Sequence, residues 1–255
     1  MSNGKSRALL FGLNYAHTTS SKLNGCINDV RDISEYLTTR FAMRCATYTD
    51  DVDLENTSGM GMMRQMYSMA VASYRENLEV VWIHYSGHGS YVRDAGTDEL
   101  DGRDECLVPS DFATAGLIPD DYVNDLLALF NPATRVICVF DCCHSGTIGD
   151  LKYSWEGPTR ALMENALCEV KCKAITISGC LDSQVSMDAY NVSGDNRYTG
   201  ALTSCLLSVL REEATLTKNA FALITKLRSK LAACGFKQTA KLCSSHNLAR
   251  DPVLL

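Results

Sequence analysis

The sequence predicts an α/β fold: a mostly parallel central sheet sandwiched by helices within a single domain. Three observations point there. Runs of β-branched and aromatic residues recur, as in Val80-Val81-Trp82-Ile83-His84-Tyr85 and Val136-Ile137-Cys138-Val139-Phe140, and this is the composition of strands buried on both faces. Segments with apolar residues at helical spacing separate these runs, and such alternation implies a parallel sheet covered on both sides. The chain has 255 residues, 46% of them apolar, with no repeat, low-complexity tract or linker-like stretch. It therefore reads as one domain over residues 1–255.

Taken in order, Arg7 to Tyr15 is a buried first strand. Asn24 to Phe41 is a helix with Ile27, Val30, Ile33, Tyr36 and Leu37 along one face. Cys45 to Thr49 is a short second strand. Gly59 to Asn77 is a helix that turns Met62, Met66, Met69 and Val71 inward to fill the core. The strand before His88 follows, then an acidic stretch whose Gly96, Gly102 and Pro109 suit a hairpin or long loop. Asp120 to Phe130 opens on two acids, a favourable helix start. After Pro132 comes the strand that leads to Cys143. Leu151 to Lys171 is the least regular segment. Lys173 to Cys180 is a strand, Thr199 to Glu213 and Thr217 to Cys234 are helices, and Gly235 ends the second of them. Thr239 to Ser244 is a last strand.

Composition narrows the function classes. Charged residues make up 21% of the chain, too few for a disordered one. No apolar run reaches the ~18–20 residues that span a bilayer. The polar start Met1-Ser2-Asn3-Gly4-Lys5-Ser6-Arg7 lacks the core of a secretion signal, and Ser at position 2 excludes myristoylation. No membrane partner is expected, and the cytoplasm is the default location. The net charge of −6 is concentrated: from Asp94 to Asp121, nine acids face Arg103 alone. Without a basic stripe, nucleic-acid binding has no support. Twelve cysteines in a chain this long and apolar read as reduced thiols. Cys138, Cys180, Cys205 and Cys234 have apolar neighbours and read as small core residues. Cys168 and Cys172 are four apart but lack a second Cys/His pair at zinc spacing.

Two strand ends carry chemistry. One presents Ser86-Gly87-His88-Gly89, the other Asp141-Cys142-Cys143-His144-Ser145-Gly146. In sheets of this class, sites form beyond the carboxyl ends of strands. A thiol and an imidazole meeting there form a nucleophile with its proton acceptor. The N–H groups of Gly87 and Cys143 are the expected oxyanion donors. Adjacent strand residues point to opposite faces, so only one of Cys142 and Cys143 can face the cleft. His144 diverges from its neighbours, His84 lies within its strand in a structural role, and His17 and His246 have no evident partner.

These two motifs resemble the signature motifs of metacaspases, the caspase-like peptidases of plants, fungi and protists. The resemblance runs from Ala8-Leu9-Leu10-Phe11-Gly12-Leu13-Asn14-Tyr15 through Leu23-Asn24-Gly25-Cys26-Ile27-Asn28-Asp29-Val30 and Ile175-Thr176-Ile177-Ser178-Gly179-Cys180 to Gly235-Phe236-Lys237-Gln238. It implies a caspase-like sheet in a type I-like order: a large-subunit-like part over about 1–151, a short connector over about 152–172 and a small-subunit-like part over about 173–255. No Pro/Gln-rich leader accompanies it, so a minimal catalytic core is expected.

The resemblance makes Cys143 the nucleophile and His88 the base. It puts Cys26, Asp29, Ser86 and Asp141 in a primary specificity pocket whose carboxylates would pair with Arg or Lys before the scissile bond. Read without it, Asp29 is equally a first-turn helix acid, and Asp141 could orient His88 or cap a turn. The acidic window reads either as a solvated loop or as a cation site, and its spacing is not that of an EF-hand. The resemblance matches Asp104, Asp120, Asp121 and Asp150 to ligands of an activating calcium ion. The implied activity is a calcium-dependent cysteine endopeptidase acting on protein or peptide substrates with Arg or Lys, as a monomer. Self-cleavage is expected near Lys152, Arg160, Lys171 or Lys173. A non-proteolytic scaffold of the same fold is the alternative. It lacks a positive argument, because nucleophile and base are both present.

Overall fold

The computed structural model describes residues 4–18, 21–93, 103–143, 148–179, 188–190 and 197–255. The chain opens with β1 (Ser6–Gly12), α1 (Cys26–Phe41), β2 (Arg44–Thr49), α2 (Leu54–Thr57), α3 (Gly59–Arg75) and β3 (Val80–Ser86). A small antiparallel unit follows, with β4 (Gly89–Arg93), β5 (Arg103–Leu107), α4 (Phe112–Ala115) and β6 (Ile118–Pro119). Next come α5 (Asp120–Ala128), β7 (Arg135–Asp141), β8 (Tyr153–Gly157), β9 (Arg160–Met163) and β10 (Lys173–Ser178). The chain ends with β11 (Asp188–Tyr190), β12 (Tyr198–Gly200), α6 (Ala201–Glu212), α7 (Ala220–Ala233) and β13 (Lys241–Ser244).

Local chemistry sets the boundaries. Ser58 Oγ accepts from the Gly61 N–H to start α3, and Asn219 accepts from Phe221 and Ala222 to start α7. Ala42, in the left-handed region at φ 51°, closes α1 with its N–H on the Leu37 and Thr38 carbonyls.

The main sheet has eight strands in the order β2-β1-β3-β7-β10-β13-β8-β9. β2, β1, β3, β7 and β10 run parallel, and β13, β8 and β9 join antiparallel. Helices cover both faces, as the sequence predicts. On one side Val30 and Ile33 of α1, Leu206 of α6 and Leu227 of α7 pack with Leu10, Trp82, Val139 and Ile177. On the other, Met62 and Met66 of α3 and Leu127 of α5 pack with Leu9, Phe11, Ile83 and Phe140. Among the described residues, no helix is long and apolar enough to cross a membrane.

Three expectations change. The segment from Leu151 to Lys171 is not irregular throughout, because β8 and β9 form a hairpin that extends the sheet beyond β13. Val71 is only half-buried, and the inner face of α3 closes instead on Ala70 and Ser73. Cys234 is exposed, since it stands just past the last turn of α7. Cys180 and His144 lie outside the described residues.

The hairpin is held by Trp155, 4% exposed. Its Nε1–H donates to Ser244 Oγ at 2.8 Å, and its ring meets Phe221 edge-on. Trp155→Ala should lower stability in urea titration by ~3–5 kcal/mol and speed hydrogen exchange in β8 and β9. Unchanged exchange there would mean that the hairpin docks by other contacts.

Candidate active site

β3 and β7 pair in parallel with Ser86 opposite Asp141. Two residues beyond that rung stand His88 on one chain segment and Cys143 on the other. The segments touch: a Cβ on Gly89 would lie 1.8 Å from the Cys143 carbonyl oxygen, so only glycine permits the approach. The imidazole and the thiol therefore leave the same edge of the sheet, as the strand pattern predicts. The pleat separates the two cysteines. Cys142 is 0% exposed and belongs to the core under α3 and α5, whereas Cys143 keeps 9% of its surface.

His88 is held from several sides. Its backbone N–H donates to Tyr15 Oη at 2.9 Å, and its carbonyl accepts from Tyr85 Oη at 2.7 Å. The Tyr15 and Tyr85 hydroxyls are 3.0 Å apart, and both reach the Val108 carbonyl. Burial raises the pKa of both tyrosines well above the ordinary value, so both hydroxyls keep their protons. Tyr15 also stacks against the imidazole, with ring centres 4.8 Å apart. Asp50 fixes the turn that delivers Tyr15 by accepting from the Asn14 and Tyr15 N–H groups at 2.8 and 2.6 Å. The His88 Nε2 stands 2.7 Å from the Ser21 carbonyl. A carbonyl can only accept, so Nε2 carries the proton, and Nδ1 is the basic nitrogen of the neutral ring.

Below this pair lie two buried carboxylates, Asp29 on α1 and Asp141 at the end of β7. Asp29 Oδ2 accepts from Ser86 Oγ at 2.6 Å, and its two oxygens accept from the Gly200 N–H at 2.8 and 3.0 Å. Asp141 Oδ2 accepts from the N–H and hydroxyl of Thr203 at 2.8 and 2.7 Å, in the first turn of α6. A Cβ on Gly200 would lie 2.2 Å from Asp141 Oδ2 and 2.6 Å from Asp29 Oδ2. The two oxygens therefore fall within the ~4–6 Å range in which like charges oppose joint ionisation. Burial first, and then the charge of Asp141, raise the Asp29 pKa well above the ordinary carboxylate value. Cys26 is buried at the start of α1, with its N–H on Asn14 Oδ1 at 3.0 Å. The four expected pocket residues thus gather around the β3–β7 rung. Both simpler readings also hold: Asp29 is a first-turn helix acid, and Asp141 caps α6 from outside.

One expected role fails. The Gly87 N–H donates to the Asp141 carbonyl at 3.3 Å, completing the β3–β7 ladder, and so does not point at an oxyanion. The expected metal ligands are not assembled. Asp104, Asp120 and Asp150 are buried and Asp121 is exposed. The α5 residue Asn124 donates to the Gly149 and Asp150 carbonyls at 2.7 and 2.9 Å, which ties the α5 and Asp150 neighbourhoods together. Even so, among the described residues no three His, Cys, Asp or Glu side chains come close enough to share a metal ion.

Sequence reasoning missed Tyr15, Tyr85, Ser21, Gly200 and Thr203. Tyr85 reaches the His88 carbonyl three residues on, and the others act through contacts between segments far apart in the chain. Only the Thr199-Gly200 pair ahead of an apolar helix hinted that a helix start was available to a buried acid.

Comparison with known proteins agrees with this geometry. The family profile described as "Metacaspase, peptidase C14 domain" matches residues 6–152. Metacaspase-1 of Yarrowia lipolytica is 30% identical over 96% of this chain and 62% of its own length. Metacaspase-3 of Trypanosoma cruzi is 32% identical over 95% of this chain and 72% of its own. The chain thus spans about two thirds of these relatives. Protein GSU0716 from Geobacter sulfurreducens superposes with a TM-score of 0.70 at 24% identity, covering 98% of this chain and 99% of that one. Caspase-1 from Spodoptera frugiperda does so at 0.59 and 12% identity, covering 95% and 88%. At such identities the two structures speak to the fold alone. With a thiol and an imidazole leaving neighbouring parallel strands above a carboxylate pocket, and with relatives this similar over nearly its whole length, the chain belongs to the metacaspase family of cysteine peptidases.

Proposed function

We propose that this chain is a calcium-dependent cysteine endopeptidase that cleaves after Arg or Lys through a Cys143–His88 dyad and an acyl-enzyme intermediate. The shared rung at Ser86 and Asp141 carries the reading: His88 and Cys143 each follow it by two residues, which supports their acting together. The Cys143 thiol gives its proton to His88 Nδ1, and the sulfur attacks the scissile carbonyl carbon. A C–S bond forms as the carbonyl opens to an oxyanion. Collapse breaks the C–N bond, and the departing amine takes the proton from the imidazolium, whose Nε2–H stays on Ser21. Water, deprotonated by the same nitrogen, then cleaves the thioester and restores the thiol.

Gly89 replaces Gly87 as the proposed oxyanion donor, beside the Cys143 N–H. The Val108 N–H donates to the His88 carbonyl. Hydrogen-bonded pairs alternate along an antiparallel ladder, so the next pair, Gly89 with Leu107, turns its N–H groups away from its partner strand. The Asp29–Asp141 pair supports a cationic substrate side chain: a guanidinium or ammonium would relieve the repulsion between the two carboxylates.

Calcium is the cation proposed for Asp104, Asp120, Asp121 and Asp150. The donors are all carboxylate oxygens, which suit a hard cation. Asn124 of α5 already holds the Asp150 turn beside the helix that Asp120 and Asp121 begin, which supports a shared site. Asp150 stands at φ 41° in the left-handed region, where a non-glycine backbone is strained. A monomer is the matching oligomeric proposal, since β8 and β9 cover the outer edge of β13. No disulfide joins any two of the eleven described cysteines, which suits the reducing cytoplasm. For self-cleavage, Lys171 is the favoured site. It is exposed and outside any strand, while Arg160 and Lys173 lie in β9 and β10.

Fluorogenic peptides ending in Arg, Lys or Asp test the proposal. With added calcium, the Arg and Lys peptides should be cut and the Asp peptide left intact. Chelation should lower the rate, and Cys143→Ala should abolish it. Titration calorimetry should register calcium binding that is lost in Asp120→Asn. A wild-type chain that cuts none of the peptides would return the scaffold reading to first place.

The carboxylate pair adds a pH prediction. Asp29 has a raised pKa, so it is neutral at low pH and ionises as pH climbs past the ordinary carboxylate range. A cationic substrate prefers the ionised form, so KM for Arg peptides should fall as pH rises. Asp29→Asn should raise KM and flatten that slope; an unchanged slope would remove Asp29 from substrate binding.

A further inference from the structure

The face of β3 that bears Ser86 also bears His84, two residues earlier. His84 is fully buried. Its Nε2 stands 3.2 Å from Thr203 Oγ1, the hydroxyl that donates to Asp141 Oδ2. A threonine hydroxyl has a single hydrogen. With that hydrogen on the carboxylate, the oxygen must accept from His84, so Nε2 is the protonated nitrogen. Among the described residues, Nδ1 is buried with no hydrogen-bond partner. Burial pulls the ring's pKa down to about 3, so it stays neutral. Neutrality matters at this spot. An imidazolium one hydroxyl away from Asp141 would be an internal counter-ion, competing with the cation that the pocket is built to hold.

We infer that His84 is a positioning residue of the specificity pocket: acting through the Thr203 hydroxyl, it aims the Asp141 carboxylate at the substrate's basic side chain. The arrangement is a relay of fixed donors, His84 Nε2–H to Thr203 Oγ and Thr203 Oγ–H to Asp141 Oδ2. It links β3, α6 and β7 and leaves the reacting atoms untouched. The inference rests on the Arg/Lys reading of the Asp29–Asp141 pocket.

Steady-state kinetics on an Arg peptide test it. His84→Phe keeps the ring volume but removes the donor, and should raise KM about tenfold with kcat little changed. His84→Gln, whose amide can donate from nearly the same place, should recover most of the loss. In the Thr203→Val background, His84→Phe should add little, because the relay is already cut. A KM for His84→Phe equal to wild type, or a fall in kcat that Gln does not rescue, would overturn the inference. Asp141→Asn separates the two ideas. A raised KM there with none in His84→Phe sinks only the relay, while an unchanged KM in Asp141→Asn sinks the pocket reading and the relay with it. Should His84→Phe fail to fold, nitrogen NMR of the wild-type ring decides. The relay requires the proton on Nε2, and a proton on Nδ1 would contradict it.

Discussion

The parallel pairing of β3 with β7 puts Ser86 opposite Asp141, and from that rung both strands leave the sheet in step. The side chains that follow inherit the register. Gly87 closes the ladder on the Asp141 carbonyl, His88 and Cys143 emerge together, and the Gly89 backbone rests on the Cys143 carbonyl. A slip of one residue would turn Cys142 toward the cleft and Cys143 into the core. Tyr15 and Tyr85 guard against that slip by binding both backbone groups of His88 from beneath the sheet edge.

The carboxylate pocket depends on the later part of the chain. Two acids this close and this buried would repel each other strongly if both were charged and undonated. The structure surrounds them with donors: Ser86 and the Gly200 N–H serve Asp29, and the first turn of α6 serves Asp141 with an N–H, a hydroxyl and the positive end of the helix. Burial and the neighbouring Asp141 carboxylate raise the pKa of Asp29, so Asp29 holds its proton more readily than an ordinary carboxylic acid. Because α6 follows the connector, the pocket is complete only once the β10–α6 half has docked against β7. Folding of the small part and readiness of the pocket are then one event.

Much of this was legible in the chain. The central strands announce themselves because parallel strands buried on both faces need unbroken apolar runs. The Met62, Met66 and Met69 face of α3 follows from helical spacing alone. The pleat alone dictates that only one of Cys142 and Cys143 faces the cleft, while the choice of Cys143 comes from the family resemblance. What the chain hid is non-local. Tyr153 to Met163 reads as irregular because Gly157 and Pro158 interrupt it, and it becomes a hairpin only through the docking of Trp155 on Ser244 and Phe221. Cys234 has apolar sequence neighbours, yet it caps the end of α7, where it is exposed. Gly87 reads from sequence as an oxyanion donor, but its N–H is taken by the Asp141 carbonyl across the β3–β7 ladder. Thr203 and Ser21 carry no local mark at all, since Ser21 offers its carbonyl, and Thr203 its N–H and hydroxyl, to residues far away in the chain.

The proposal turns on His88 activating the Cys143 thiol above the other described cysteines. Burial pushes Cys172 and Cys205 up to about 12 and Cys243 up to about 11, and raises Cys138 as well, which leaves these thiols protonated and inert. The most direct measurement is the rate of iodoacetamide labelling at each cysteine, read by peptide mass spectrometry at neutral pH, in wild type and in His88→Ala. The account predicts that Cys143 is labelled first, and that loss of His88 slows that site alone by about tenfold or more. Labelling of Cys143 no faster than of the exposed Cys234, or at the same rate without His88, would contradict it.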